Sequence, residues 1–121
     1  MAHILIIDDE EQIRTLLRNL LEREGYRISE AGDGLAALNC QQEDPADLII
    51  TDIYMPEKEG LETIDEFRRL FPEVKIIAIS GGDKTGKIDF LQVAASFGAQ
   101  ATLSKPFDLQ EIVRTVKDLL A

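Results

Sequence analysis

Three short runs of the chain are almost wholly apolar: Ile4-Leu5-Ile6-Ile7, Leu48-Ile49-Ile50, and Val74 to Ile79 with only Lys75 interrupting. Runs this short cannot span a membrane, and they fall below the ordinary length of a helix. Isoleucine-rich and without alternation, they describe strands covered on both faces, the habit of a parallel sheet with helices on either side. Two more polar segments, Tyr26 to Ala31 and Ala99 to Ser104, suit the edges of such a sheet. Five strands therefore sort into three central and two outer ones.

Helical patterns fill the intervals. Ile13, Leu16, Leu17, Leu20 and Leu21 follow the i, i+3, i+4, i+7, i+8 stripe, and Gly25 stands where a C-terminal cap belongs. Leu109, Ile112, Val113, Val116 and Leu120 repeat that stripe late in the chain, with Asp108 and Glu111 at capping-box spacing. Leu61, Ile64, Phe67 and Phe71 describe a helix ended by Pro72. Leu35 to Gln41 make a short one, opened by the Gly32-Asp33-Gly34 turn. Between Lys84 and Gly98 two stripes share one helix: Phe90, Val93, Ala94 and Phe97 on one side, Ile88, Leu91 and Ala95 on another. The larger, aromatic stripe is assigned to the sheet, which leaves the second as a candidate contact surface. Strand and helix alternate five times without linker, repeat or low-complexity segment. Residues 1–121 thus read as one α/β domain with five helices.

The 23 acidic residues outnumber 13 Lys and Arg, a net charge of −10 on 121 residues. That balance opposes nucleic-acid phosphates and anionic lipid, and the longest basic run, Arg68-Arg69, makes no patch. No direct nucleic-acid or membrane partner is expected. Cys40 has no second thiol for a disulfide, zinc knuckle or redox pair, and beside Ala37 and Leu38 it reads as a small core residue. With no secretory leader or membrane span in view, a cytoplasmic location is expected.

The ends of the strands carry the chemistry. In an open parallel sheet all carboxyl ends share one rim, where ligands bind. The first strand ends in Asp8-Asp9, the third in Thr51-Asp52, the fourth in Ser80 and the fifth in Ser104-Lys105-Pro106. Three carboxylates brought together repel one another unless a cation compensates. Hard oxygen ligands with room for water suit Mg²⁺, whereas zinc would want His or Cys. The lone His3 belongs at the opposite end of its strand and is expected on the surface. A divalent ion with the Lys105 ammonium would nearly neutralise the cluster and let it accept a phosphoryl group.

Taken in order, these residues resemble the receiver domain of two-component response regulators, of the chemotaxis-regulator-like kind. The resemblance is carried by Ile4-Leu5-Ile6-Ile7-Asp8-Asp9, Ala31-Gly32-Asp33-Gly34, the run Asp47 to Pro56 with Gly60, Ile79-Ser80, Gly98-Ala99 and Lys105-Pro106-Phe107. It implies a flavodoxin-like, doubly wound five-stranded parallel sheet of order 2-1-3-4-5. It implies Asp52 as phosphoacceptor from a sensor histidine kinase, a phosphotransfer protein or a small acyl phosphate. Asp9 would ligate Mg²⁺ directly, Asp8 mainly through water, and Asp52 and the backbone carbonyl of Tyr54 would complete the set. Ser80 and Lys105 would each meet a phosphoryl oxygen, with Pro106 fixing the turn at Lys105. Such a domain is not an enzyme beyond assisting its own phosphorylation and dephosphorylation. The face made by the fourth helix, fifth strand and fifth helix would meet a downstream protein or a second copy of the chain, a candidate homodimer contact. The chain is either a stand-alone regulator or the receiver portion of a longer chain with an output domain. Kinase specificity would rest on surface residues of the first helix such as Arg14, Arg18 and Asn19.

Two departures stand out from that family pattern. Thr102 occupies the place three residues before the lysine where members commonly carry Tyr or Phe, with Phe97 as a candidate substitute. The stretch Gly81 to Lys87 is long and glycine-rich, yet it does not match GxxxxGK[ST] and reads as a loop. Tyr54 is expected to overhang the phosphoryl group and slow its hydrolysis. The alternative readings are a non-phosphorylated pseudo-receiver acting as an interaction module, motivated by Thr102, and a metal-dependent phosphohydrolase. The latter lacks an acid two residues after Asp52 and has no room for a cap.

Overall fold

Five parallel strands form one sheet in the order β2-β1-β3-β4-β5, the order the resemblance implies. The computed structural model describes residues 2–53, 59–80, 98–104 and 108–121, with only the backbone of 59–61 and 80. The strands are β1 (His3–Ile7), β2 (Arg27–Ala31), β3 (Leu48–Asp52), β4 (Lys75–Ser80) and β5 (Ala101–Ser104). Among the described residues the helices are α1 (Glu11–Glu22), α2 (Gly34–Glu43), α3 (Glu59–Leu70) and α4 (Leu109–Leu120). The helix expected between Lys84 and Gly98, with its Ile88, Leu91 and Ala95 stripe, and the Gly81 to Lys87 stretch lie outside the described residues, Gly98 excepted.

The apolar runs are the three central strands, as expected. Alternation sends their side chains to two separate cores. Leu5, Ile7, Ile49, Ile76 and Ala78 pack on one face with Ala37 of α2 and Ile64 and Phe67 of α3. Ile4, Ile6, Leu48, Ile50, Ile77 and Ile79 pack on the other with Leu17 and Leu21 of α1 and Ile112 and Val116 of α4. Cys40 is half-buried against the first core, the place expected for it.

The helix ends follow their sequence signals with small adjustments. Gly25 takes φ +94°, which an L side chain would resist, and so closes α1. Leu16 of the expected α1 stripe is 41% exposed, so Leu17 and Leu21 carry the burial. Asp33 caps α2 by accepting from the Ala36 N–H at 2.8 Å. Asp108 caps α4 through the Gln110 N–H at 2.8 Å, one position earlier than in a capping box.

His3 corrects an expectation. It is 2% exposed rather than on the surface. β1 is flanked by β2 and β3, and the turn after α2 closes over its start. The imidazole Nε2 lies 2.7 Å from Ser29 Oγ and Nδ1 3.1 Å from the Pro45 carbonyl, while the His3 N–H donates to Asp47 at 2.9 Å. A buried ring with both nitrogens partnered is part of the scaffold.

At the same amino-end rim, Arg68 of α3 joins three segments. Its Nη1 donates to the carbonyls of Pro72 and Val74 at 2.8 and 3.0 Å. Its Nη2 donates to the Gly98 carbonyl at 2.9 Å and to Gln100 Oε1 at 3.0 Å. That same amide oxygen accepts from the Ile76 N–H, so Arg68 helps set the entry into β5.

Candidate functional site

Strand register brings the carboxyl ends together. Ile7 faces Thr51, which sets Asp8 beside Asp52; Asp52 faces Ile79, and Ser80 faces Ser104. Asp8, Asp52, Ser80 and Ser104 therefore share one rim, as the parallel topology dictates. Asp52 follows Ile50 by two residues on the same strand, which puts it on the face covered by α1 and α4. It closes the central strand β3 and is only 5% exposed. Thr51 beside it is also buried, its hydroxyl donating to the Asp52 carbonyl at 3.2 Å.

Asp8 is 3% exposed and held on three sides. Its N–H donates to the Ala31 carbonyl of β2 at 3.2 Å. Its Oδ1 accepts from the Glu10 N–H at 2.9 Å, which folds the chain from β1 into α1. Its carbonyl accepts from Arg14 Nη1 at 2.7 Å. Asp9 and Glu10 turn outward and are exposed. One carboxylate oxygen from each of Asp8, Asp9 and Glu10 lies within 4.8 Å of the others. This donor set is oxygen only, part buried and part open to water, which fits a hard, partly hydrated divalent cation. The chain's one histidine stands at the other rim, away from it.

The sequence expectation named Asp8 and Asp9 but not Glu10, although the run Asp8-Asp9-Glu10 made it visible. Of the remaining expected residues, Ser80 is described in its backbone only, and Tyr54, Lys105 and Pro106 lie outside the described residues. Thr102 faces Ala78 on the outer strand β5 and is half-buried.

Arg14 and Arg18, expected on the surface of α1, are part-buried there and tied to β2. Arg14 Nε donates to Glu30 Oε1 at 3.1 Å and Arg18 Nη1 to Glu30 Oε2 at 3.0 Å. Arg18 Nη2 also reaches the Ile28 carbonyl at 2.9 Å. The Arg14 side chain is only 20% exposed, whereas Asn19 is exposed as expected. Nothing in the local pattern of α1 announces these ties, because their acceptors lie on β2.

Comparison with known proteins gives a consistent picture. The family model described as "Response regulator receiver domain" matches residues 4–117. The chain is 32% identical over 117 residues to sporulation initiation phosphotransferase F of Bacillus subtilis, covering 97% of this chain and 92% of that protein. It is 33% identical over 125 residues to the response regulator receiver protein CpdR of Brucella abortus, covering 99% and 98%. Other relatives are longer, and the chain spans 12% of one and 50% of another. Among solved structures, the response regulator TrrA of Thermotoga maritima, in complex with Mg²⁺-BeF, superposes with a TM-score of 0.83 at 35% identity, covering 98% of this chain and 99% of that one. Among the described residues, no helix is long and apolar enough to cross a membrane.

Proposed function

The chain belongs to the response regulator receiver domain family, and from that membership we propose that it accepts a phosphoryl group on Asp52 and changes its surface for a downstream protein. The observation that carries this reading is the buried Asp52 at the end of the central strand, level with the acidic run that follows β1. A carboxylate oxygen of Asp52 forms the new bond to phosphorus while the donor's bond to phosphorus breaks, the electron pair leaving with the imidazole or acyl oxygen. Mg²⁺, held by Asp8, Asp9, Asp52 and the Tyr54 carbonyl, would supply charge neutralisation of the phosphoryl oxygens, and the Glu10 carboxylate would add to the attraction for that cation. The relative solved with Mg²⁺-BeF supports the choice of metal.

Ser80 and Lys105 hold phosphoryl oxygens in this reading. A group near −2 charge in place of a carboxylate gives them partners that differ between the two states, which is what shifts a population. The donor is a sensor histidine kinase or a phosphotransfer protein in the cytoplasm, and residues 1–121 act as one receiver domain. The output is a downstream protein, a further domain, or a second copy of the chain meeting the face around β5 and α4. The domain works as a signalling element and turns over only its own phosphoryl group.

Intact mass after incubation with Mg²⁺ and acetyl phosphate tests this. One phosphoryl adduct is expected on the wild type and none on Asp52→Asn. An adduct on both places the acceptor elsewhere, and no adduct on either returns the pseudo-receiver reading.

A further inference from the structure

The acidic run after β1 is anchored by a group that is not itself acidic. Arg14 Nη1 donates to the Asp8 carbonyl at 2.7 Å, while its Nε donates to Glu30 Oε1 at 3.1 Å. Glu30 sits on β2 facing Ile6 and is braced on its second oxygen by Arg18. The Asp8 N–H is held by the Ala31 carbonyl of the same strand. Both backbone groups of Asp8 are thus fixed to β2, one directly and one through the Arg14–Glu30 pair.

We infer that Arg14 is a positioning residue for cation binding by Asp8 and Asp9, setting the angle at which the run leaves β1. This rests on the proposed role of that run as a divalent-ion site. The planar guanidinium matters because one rigid fork meets a carbonyl and a carboxylate at once, and an ammonium cannot reproduce that geometry. Removing a partner that orients a ligand from behind typically weakens metal affinity by roughly 10–100-fold.

Two physical effects of removing Arg14 have opposite signs, which makes the inference decidable. Losing a positive charge beside three carboxylates favours a divalent cation by Coulomb's law. Losing the tether to the Asp8 carbonyl disfavours it. Arg18 is the matched control. Its removal takes away a similar charge and loosens the same Glu30, yet leaves the Arg14 bond to Asp8 in place.

The experiment is an amide-shift titration of the full chain with Mg²⁺, read at residues 8–10, with circular dichroism confirming the fold of each variant. Arg14→Ala and Arg14→Lys are expected to bind roughly tenfold more weakly than wild type, against the charge effect in the first and at constant charge in the second. Arg18→Ala is expected to stay within about twofold of wild type or bind slightly tighter. Unchanged or tighter binding in the Arg14 variants overturns the positioning role. Equal weakening in Arg18→Ala overturns it too, by showing that general loosening suffices. Should Arg14→Ala fail to fold, Arg14→Lys decides alone. A wild type that does not titrate removes the cation site, and this inference with it.

Discussion

Replacing Gly98 with alanine tests whether the entry into β5 depends on space that only glycine leaves. Gly98 has φ +116°, and a Cβ there would stand 2.9 Å from Arg68 Nε and 3.2 Å from its Cγ. The arginine has little freedom to yield, because its Nη atoms already serve Pro72, Val74, Gly98 and Gln100. Gly25 provides an internal reference, since its φ is +94° but nothing lies within 4 Å of an added Cβ. A left-handed backbone costs about 1–2 kcal/mol for an L side chain, offset by roughly 0.4–1 kcal/mol from the stiffer unfolded chain. Gly25→Ala should therefore destabilise by about 1 kcal/mol. At Gly98 the displaced guanidinium adds the loss of one charge-assisted hydrogen bond, for a total of about 2–4 kcal/mol. Urea unfolding followed by far-UV circular dichroism reads both. In an Arg68→Ala background the excess at Gly98 should fall to the Gly25 level, as a coupled pair requires. Equal costs at the two glycines, or an excess that survives without Arg68, would refute the reasoning.

Asp33→Ala removes the carboxylate that accepts from Ala36 at the start of α2, and unfolding should show a loss of about 1 kcal/mol; an unchanged urea midpoint would mean water caps the helix equally well. Asp44 is held below the usual 3.8 by its hydrogen bond to Arg27, with the charges of Arg27 and His3 adding to that. A lowered folded-state value gives stability that is present above the unfolded value and lost as pH falls through the folded one. The stability difference between wild type and Asp44→Asn, small for so exposed a pair, should be present at neutral pH and vanish only as pH falls below 3.8 and through the lowered folded value; a difference that grows on acidification would reverse the sign.

The sheet was legible because burial on both faces demands apolar runs, and three of them stand plainly in the chain. The edge strands were legible by contrast, since Arg27 to Ala31 and Ala101 to Ser104 are more polar. The acids at the strand ends followed from topology alone, because parallel strands share a rim. His3 was misread because a lone histidine beside an apolar run looks the same buried or exposed. Its burial is decided by Asp44 and Pro45, more than forty residues away in the chain. The ties of Arg14 and Arg18 were not legible for a related reason. Helical periodicity reports which face meets the core, but it does not say that Glu30 will rise from a neighbouring strand to claim two guanidinium groups.

The division of the interior into two cores has a consequence for the order in which the chain is made. Synthesis runs from β1 outward, and among the described residues the helices over the core under α2 and α3 are complete once Leu70 has emerged. The opposite core waits for Ile112 and Val116 of α4, among the last residues described. Until they arrive, α1 is the one helix among the described residues that covers Ile6, Ile50 and Ile77. A nascent chain thus carries a half-clad sheet until α4 emerges, with apolar surface open to neighbouring chains. Any slowing of translation before residue 109 prolongs that interval, and aggregation during synthesis should rise with it.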